Sequence, residues 1–148
     1  MSKERMRGLP SSWRVYVCKH VPAKAAVVVC EGSVEAVCVN ECTDEYGECV
    51  WMDGDFGELF VVSMNCRHGN DIEPYLAYME RVCECVKGNR VIFGMDANAA
   101  FPMWFSKDGG RSRENEMRGT ILEEWVIANG IIVLNEPSES YTFSGMRG

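Results

Sequence analysis

Apolar positions along the chain fall first into short β-like runs and then into helical stripes. Trp13 to Cys18 (WRVYVC) is β-branched and aromatic and reads as a strand. Ala25 to Cys30 (AAVVVC) is a continuous apolar run, as in strands buried on both faces. Val34 to Val39 reads as a third strand. Cys49 to Met52 and Glu58 to Met64 flank Asp53-Gly54-Asp55-Phe56-Gly57, which predicts a hairpin around a glycine-rich turn. The period then changes. Ile72, Leu76, Met79, Cys83 and Val86 recur at helical spacing and predict a helix from Asp71 to Lys87. Asp71 and Glu73 suit the positive end of its dipole, and Gly88-Asn89 ends it. Val91-Ile92-Phe93 is a short buried strand leading into Gly94-Met95-Asp96-Ala97-Asn98, and Phe101 to Gly110 reads as loop. A second helix is predicted from Asn115 to Asn129, with Met117, Ile121, Leu122, Trp125 and Ala128 inward and Asn129-Gly130 closing it. Ile131 to Leu134 and Tyr141-Thr142-Phe143 read as further strands. This order predicts an α/β or α+β fold, a mixed sheet with helices covering its faces.

Composition narrows the class. The chain has 148 residues, 47% apolar and 25% charged, enough to close a sizeable core. That balance argues against disorder, collagen and coiled coil. No stretch approaches the ~18 apolar residues of a membrane span. The charged start, Met1 to Arg5, has no apolar run behind it, so no signal peptide is expected. Eight cysteines then read as reduced thiols, with Cys18, Cys30, Cys38 and Cys66 as small buried hydrophobes. Cys83 with Cys85, and Cys38 with Cys42, lack a nearby histidine, and structural zinc is not expected. Net charge is −7, unevenly spread: residues 1–24 carry six Lys/Arg against Glu4, while residues 25–66 carry nine acids and no Lys or Arg. A basic loop follows at Lys107, Arg111, Arg113 and Arg118, either simply solvated or in contact with phosphate.

The informative segment is Val91 to Asn98. A buried strand delivers Asp96 and Asn98 at its carboxyl end, where α/β sheets place ligand sites. Residues two apart on an extended segment point to the same side. A carboxylate there orients a water or acts as a base, and a carboxamide donates to a phosphate oxygen. By spacing alone Asp-x-Asn is also a common turn.

Gly94-Met95-Asp96-Ala97-Asn98 after an apolar strand resembles the signature of the endonuclease/exonuclease/phosphatase superfamily. The stretches Ile72 to Leu76, Val91 to Ala100, Pro102 to Ser106, Gly119 to Gly130, Leu134-Asn135-Glu136 and Tyr141 to Gly145 resemble the endonuclease domain of non-LTR retrotransposons. The resemblance runs in order from Ala25 to Gly148. It implies a four-layered α/β sandwich of two mixed sheets. It also implies nicking of target DNA with Mg²⁺, the 3′ end then priming a reverse transcriptase domain of the same polyprotein. Asp96 would orient or activate the attacking water and Asn98 would hold the scissile phosphate. Asn65 stands where the family usually carries an active-site tyrosine; it cannot form a phenolate but can donate to phosphate. Asn65, Arg111 and Arg113 are thus the substrate-binding candidates, and the metal ligands are left open. The expected organisation is a basic segment with a partial strand over 1–24 and the central part of the domain over 25–148. An intracellular, nuclear setting without membrane contact follows from a DNA target.

The chain also departs from the family. Nothing before Trp13 supplies the family's opening asparagine and metal-binding glutamate, and no Asp-His segment follows Thr142. The fold is therefore expected to be incomplete at both ends and its activity impaired. Neither histidine follows Asp-x-Asn; His20 and His68 read as solvated. Glu31 and Glu48 read as solvated members of an acidic stretch, Asp53 and Asp55 as turn residues, Glu123-Glu124 as the wet face of the second helix. Trp104 and Phe105 stack on bases or plug a loop; Trp51 and Trp125 read as core. The alternatives are a non-catalytic DNA-binding or interaction remnant and a phosphoesterase for small phosphates or lipids.

Overall fold

The fold was analysed in a computed structural model, which describes residues 8–19, 22–99 and 113–137. The chain divides into two compact units, Met1–Ala97 and Asn98–Gly148.

The first unit is built on a four-stranded sheet. Its strands are β3 (Glu35–Cys38), β4 (Gly47–Gly54), β5 (Gly57–Asn65) and β6 (Val91–Asp96), in the order β3-β4-β5-β6. β3, β4 and β5 pair antiparallel; β6 pairs parallel to β5, so the sheet is mixed. The expected hairpin forms with a tighter turn: pairing continues to Gly54 opposite Gly57, which leaves Asp55 and Phe56 as the loop and puts Asp53 in β4. Gly57 there has φ +80°, a conformation open to glycine. Two further strands, β1 (Arg14–Tyr16) and β2 (Val27–Val29), pair antiparallel.

Alternation assigns the faces of the sheet. Val50 packs with Val27 and Val29 of the small sheet, joined by Tyr16, Val34, Ala36, Met52 and Val61. The opposite face carries Gly47 and Cys49, register partners of Met64 and Val62. Helix α1 (Glu73–Cys85) covers it, with Tyr75, Leu76, Tyr78, Met79 and Val82 buried. Tyr78 lies over Gly47, and its hydroxyl donates to the Cys42 carbonyl at 2.7 Å, in the 3-10 turn Asn40–Cys42. Asp71 accepts from the Glu73 N–H at 3.2 Å, and Gly88 turns the chain out of the helix at φ +83°. The helix is two residues shorter at each end than the expected Asp71 to Lys87.

The second unit contains helix α2 (Arg113–Ala128). It begins two residues before the expected start and buries Arg118, Gly119, Leu122, Trp125 and Val126. The expected stripe was rotated: Met117 is exposed and so is Ala128. Gly130 has φ +63°, Gly130 N donates to the Ile127 carbonyl and Ile131 N to the Val126 carbonyl. Those bonds are a Schellman ending, the stop predicted from Asn129-Gly130. Over Ile131 to Leu134, expected as a strand, no ladder to another described residue is formed, and Ile132 and Leu134 are exposed. A β-branched run is a strand only when a ladder takes up its backbone groups. The strand expected at Tyr141-Thr142-Phe143 lies outside the described residues, as do Trp104 and Phe105.

Candidate active site

β5 and β6 run parallel, so their carboxyl ends come out at one end of the sheet. Their last residues are Asn65 and Asp96, which are register partners. Paired residues of neighbouring strands point to the same face, about 4.8 Å apart along the hydrogen-bonding direction. The Cys66 N–H donates to the Asp96 carbonyl at 2.9 Å, which carries the pairing one step past the strand end. Asp96 is exposed and Asn65 half-buried, so a carboxylate and a carboxamide stand side by side with access to solvent. The parallel register of β5 and β6 creates this pair; Asn65 and Asp96 were proposed separately from the sequence.

Two residues beyond Asp96, Asn98 takes φ +45°, a left-handed conformation. The Nε of Arg118 donates to the Asn98 carbonyl at 3.2 Å. Arg118 is buried in α2, so its reading as part of a solvated basic loop is corrected. Its spacing to Leu122, Trp125 and Val126 was the available signal, since i, i+4, i+7 and i+8 share one helix face. Arg113, the first residue of α2, is exposed; Arg111 lies outside the described residues.

Other sequence candidates fall elsewhere. His68 is exposed in the loop after β5, and His20 lies outside the described residues. Glu31 is exposed, its Oε1 accepting from the Ser33 N–H and hydroxyl. Glu48 is buried, which corrects its reading as solvated: alternation puts it on the Val50 face, where Cys38 Sγ donates to Oε1 at 3.2 Å and Oε2 has no hydrogen-bond partner among the described residues. Burial pushes its carboxyl above the ordinary range, opposed by the Cys38 thiol and by Lys19. Trp125 is buried and Trp51 half-buried. Cys18, Cys42, Cys49 and Cys66 are buried, but Cys30 is exposed and Cys38 half-buried, against their reading as buried. Among the described residues no three His, Cys, Asp or Glu side chains are placed to hold a metal ion. Asp96 alone is not such a site.

Residues 59–148 match the family described as endonuclease-reverse transcriptase. The chain belongs to this family. Two relatives extend the match across most of the sequence. The chain is 46% identical to the "Retrovirus-related Pol polyprotein from type-1 retrotransposable element R1" of Bradysia coprophila, covering 97% of this chain and 15% of that protein. It is 36% identical to the "Putative 115 kDa protein in type-1 retrotransposable element R1DM" of Drosophila melanogaster, covering 97% of this chain and 14% of that protein. Among solved structures, the endonuclease domain of TRAS1, a telomere-specific non-LTR retrotransposon, superposes with a TM-score of 0.81 at 28% identity. That match covers 93% of this chain and 61% of the TRAS1 domain. The fold of this endonuclease-reverse transcriptase family member is thus of the endonuclease/exonuclease/phosphatase type, as the resemblance implied. Among its described residues no helix is long and apolar enough to cross a membrane.

Proposed function

We propose that this domain hydrolyses a phosphodiester bond of target DNA and works within a polyprotein that also carries a reverse transcriptase. The observation that carries the reading is the pairing of Asn65 with Asp96 at the carboxyl ends of adjacent parallel strands. An exposed carboxylate beside an amide donor suits in-line attack by water. Asp96 orients the water and draws on its proton as the new P–O bond forms. The bond to the 3′ oxygen breaks, and that oxygen takes up a proton to leave a primer end. The carboxamides of Asn65 and Asn98 donate to non-bridging oxygens, where charge builds in the transition state. Arg113, with Arg111, contacts flanking phosphates and supplies affinity without sequence preference.

Magnesium enters only as an expectation of the family resemblance. The described residues do not form a site for it by themselves, since Asp96 belongs to no cluster of three possible ligands. Asn65 stands where the resemblance expects a tyrosine, so these 148 residues, tested alone, are expected to nick DNA far more slowly than a domain that carries it.

Conversion of supercoiled plasmid to open circles, with Mg²⁺ and with EDTA, tests the reading. The 148-residue chain is expected to give slow nicking that Asp96→Ala reduces by at least about 10³-fold, in line with loss of a group that acts as part of a unit. Nicking unchanged by Asp96→Ala overturns the assignment of Asp96. Fast Asp96-dependent nicking overturns the impairment and leaves the assignment standing. The reading of the chain as a DNA-binding remnant rests on the basic stretch over residues 1–24 and on the arginines between Arg111 and Arg118; it is upheld by DNA binding without any Asp96-dependent cleavage.

A further inference from the structure

Two charged side chains are buried among the described residues, Glu48 and Arg118. Glu48 can shed its charge by protonation; a guanidinium cannot, and it stays buried only where its N–H donors meet acceptors. Arg118 is 5% exposed, on the α2 stripe with Gly119, Leu122, Trp125 and Val126. Its Nε donates to the carbonyl of Asn98 at 3.2 Å. Asn98 is in turn the one non-glycine residue with positive φ among the described residues, at +45°. Asparagine tolerates that region better than most residues, yet the conformation persists only where surrounding groups enforce it. The two observations meet at one peptide group. A planar donor anchored in a helix fixes the Asn98 carbonyl, and a fixed carbonyl fixes the direction of the Asn98 Cα–Cβ bond.

We propose that Arg118 is a positioning residue: it holds Asn98 in its left-handed conformation and so aims the Asn98 carboxamide at the scissile phosphate. The aiming rests on the proposed function; the holding rests only on the geometry. Arg118 touches neither water nor phosphate in this account. A lysine at 118 would keep the charge without the planar fork, so the arginine's geometry is the operative property.

The test uses the full 148-residue chain, isotope-labelled for NMR. Arg118→Met keeps the length and helix preference of the side chain and removes the donors. The expected result is a displaced Ala99 backbone amide, whose peptide includes the Asn98 carbonyl, exchanging at least about 10-fold faster with solvent while β4 and β5 amides keep their rates. An unmoved Ala99 amide in a folded Arg118→Met protein overturns the proposal. Should that variant lose its dispersed spectrum, Arg118→Leu replaces it; its side chain carries no donor for the Asn98 carbonyl, and the same two outcomes decide. Affinity for a duplex oligonucleotide at low salt then tests the aiming. Arg118→Met and Asn98→Ala are each expected to weaken binding by about 5-fold, and the double variant no further, because both remove one interaction. Additive losses overturn the aiming. A parent chain that binds no duplex even at low salt overturns the proposed function and, with it, the aiming, while the Ala99 amide still decides the holding.

Discussion

At the residue scale, Glu48 couples the fold to pH. Its carboxyl is buried on the small-sheet face of β4, and burial raises its pKa from the ordinary 4.5. Below pH 4.5 the group is protonated in both states and costs nothing. As pH rises past 4.5 the unfolded chain releases its proton first, so unfolding gains and stability falls until the folded carboxyl ionises as well. Glu48→Gln keeps an oxygen for the Cys38 thiol and removes the titration. The variant is therefore expected to melt above the parent at pH 7 and to lose that advantage near pH 4, read by thermal scans at the two values. A gap that stays constant with pH would show that Glu48 has no raised pKa. Gly47 makes a steric prediction. A Cβ there would sit 2.7 Å from the ring of Tyr78, which is fully buried and tied by its hydroxyl to Cys42. The ring cannot yield, so Gly47→Ala is expected to cost about 1–3 kcal/mol, the range of overpacking in a filled core. Tyr78→Phe keeps the ring, loses one hydrogen bond and should cost about 1 kcal/mol. Denaturant midpoints order the pair, and Gly47→Ala milder than Tyr78→Phe would contradict the tight contact.

At the element scale, the β4–β5 hairpin is strapped to the start of β6. The Arg90 guanidinium donates to the Phe56 carbonyl and, at 2.9 Å, to the Glu58 carbonyl, while the Phe60 N–H donates to the Arg90 carbonyl at 2.9 Å. One residue thus closes the turn and sets the parallel register that places Asn65 beside Asp96 five pairs further on. Arg90→Ala should cost about 1 kcal/mol, the usual net value of an exposed charged hydrogen bond or two, and should speed exchange of hairpin amides before those of α1. This strap was not legible in the sequence, because it joins residues more than thirty positions apart. The hairpin, α1 and the strand leading to Asp96 were legible as elements, since each announces itself in local period and turn chemistry, but the burial expected of Val91-Ile92-Phe93 is not found: none of the three is buried and Ile92 is exposed. The α2 stripe was misread because a buried arginine looks polar: with Arg118 assigned to solvent, the apolar residues alone allow a stripe one position off. Glu48 was misread for the same reason, an acid among acids whose strand face no local pattern reveals. The Asn65–Asp96 pair needed both β5 and β6 in register, which composition cannot supply.

At the scale of the whole molecule, the proposed function raises the question of how a chain of net charge −7 would meet DNA. The answer lies in where β4 and β5 put their acids. Asp53, Asp55 and Glu58 cluster at the hairpin, and β5 runs from Gly57 there to Asn65 at the candidate site. At about 3.3 Å per residue that strand separates the two ends by roughly 26 Å. Near the site end of β4, Asp44 pairs with Arg81 and Glu48 is buried, while Glu41 and Glu45 are exposed. The Debye length is about 10 Å at 0.1 M salt and about 30 Å at 0.01 M. Hairpin charge is therefore screened from a phosphate at Asn65 and Asp96 in the first case and felt in the second. Replacing Asp53 and Asp55 by Asn and Glu58 by Gln is expected to leave duplex affinity within about 2-fold at 0.1 M salt and to tighten it several-fold at 0.01 M. Arg113→Ala, which under the proposed function removes a phosphate contact, should instead weaken binding at both and lower the salt slope by about one. Equal tightening by the triple variant at both salts would place the DNA against the hairpin, at the other end of the sheet from Asp96.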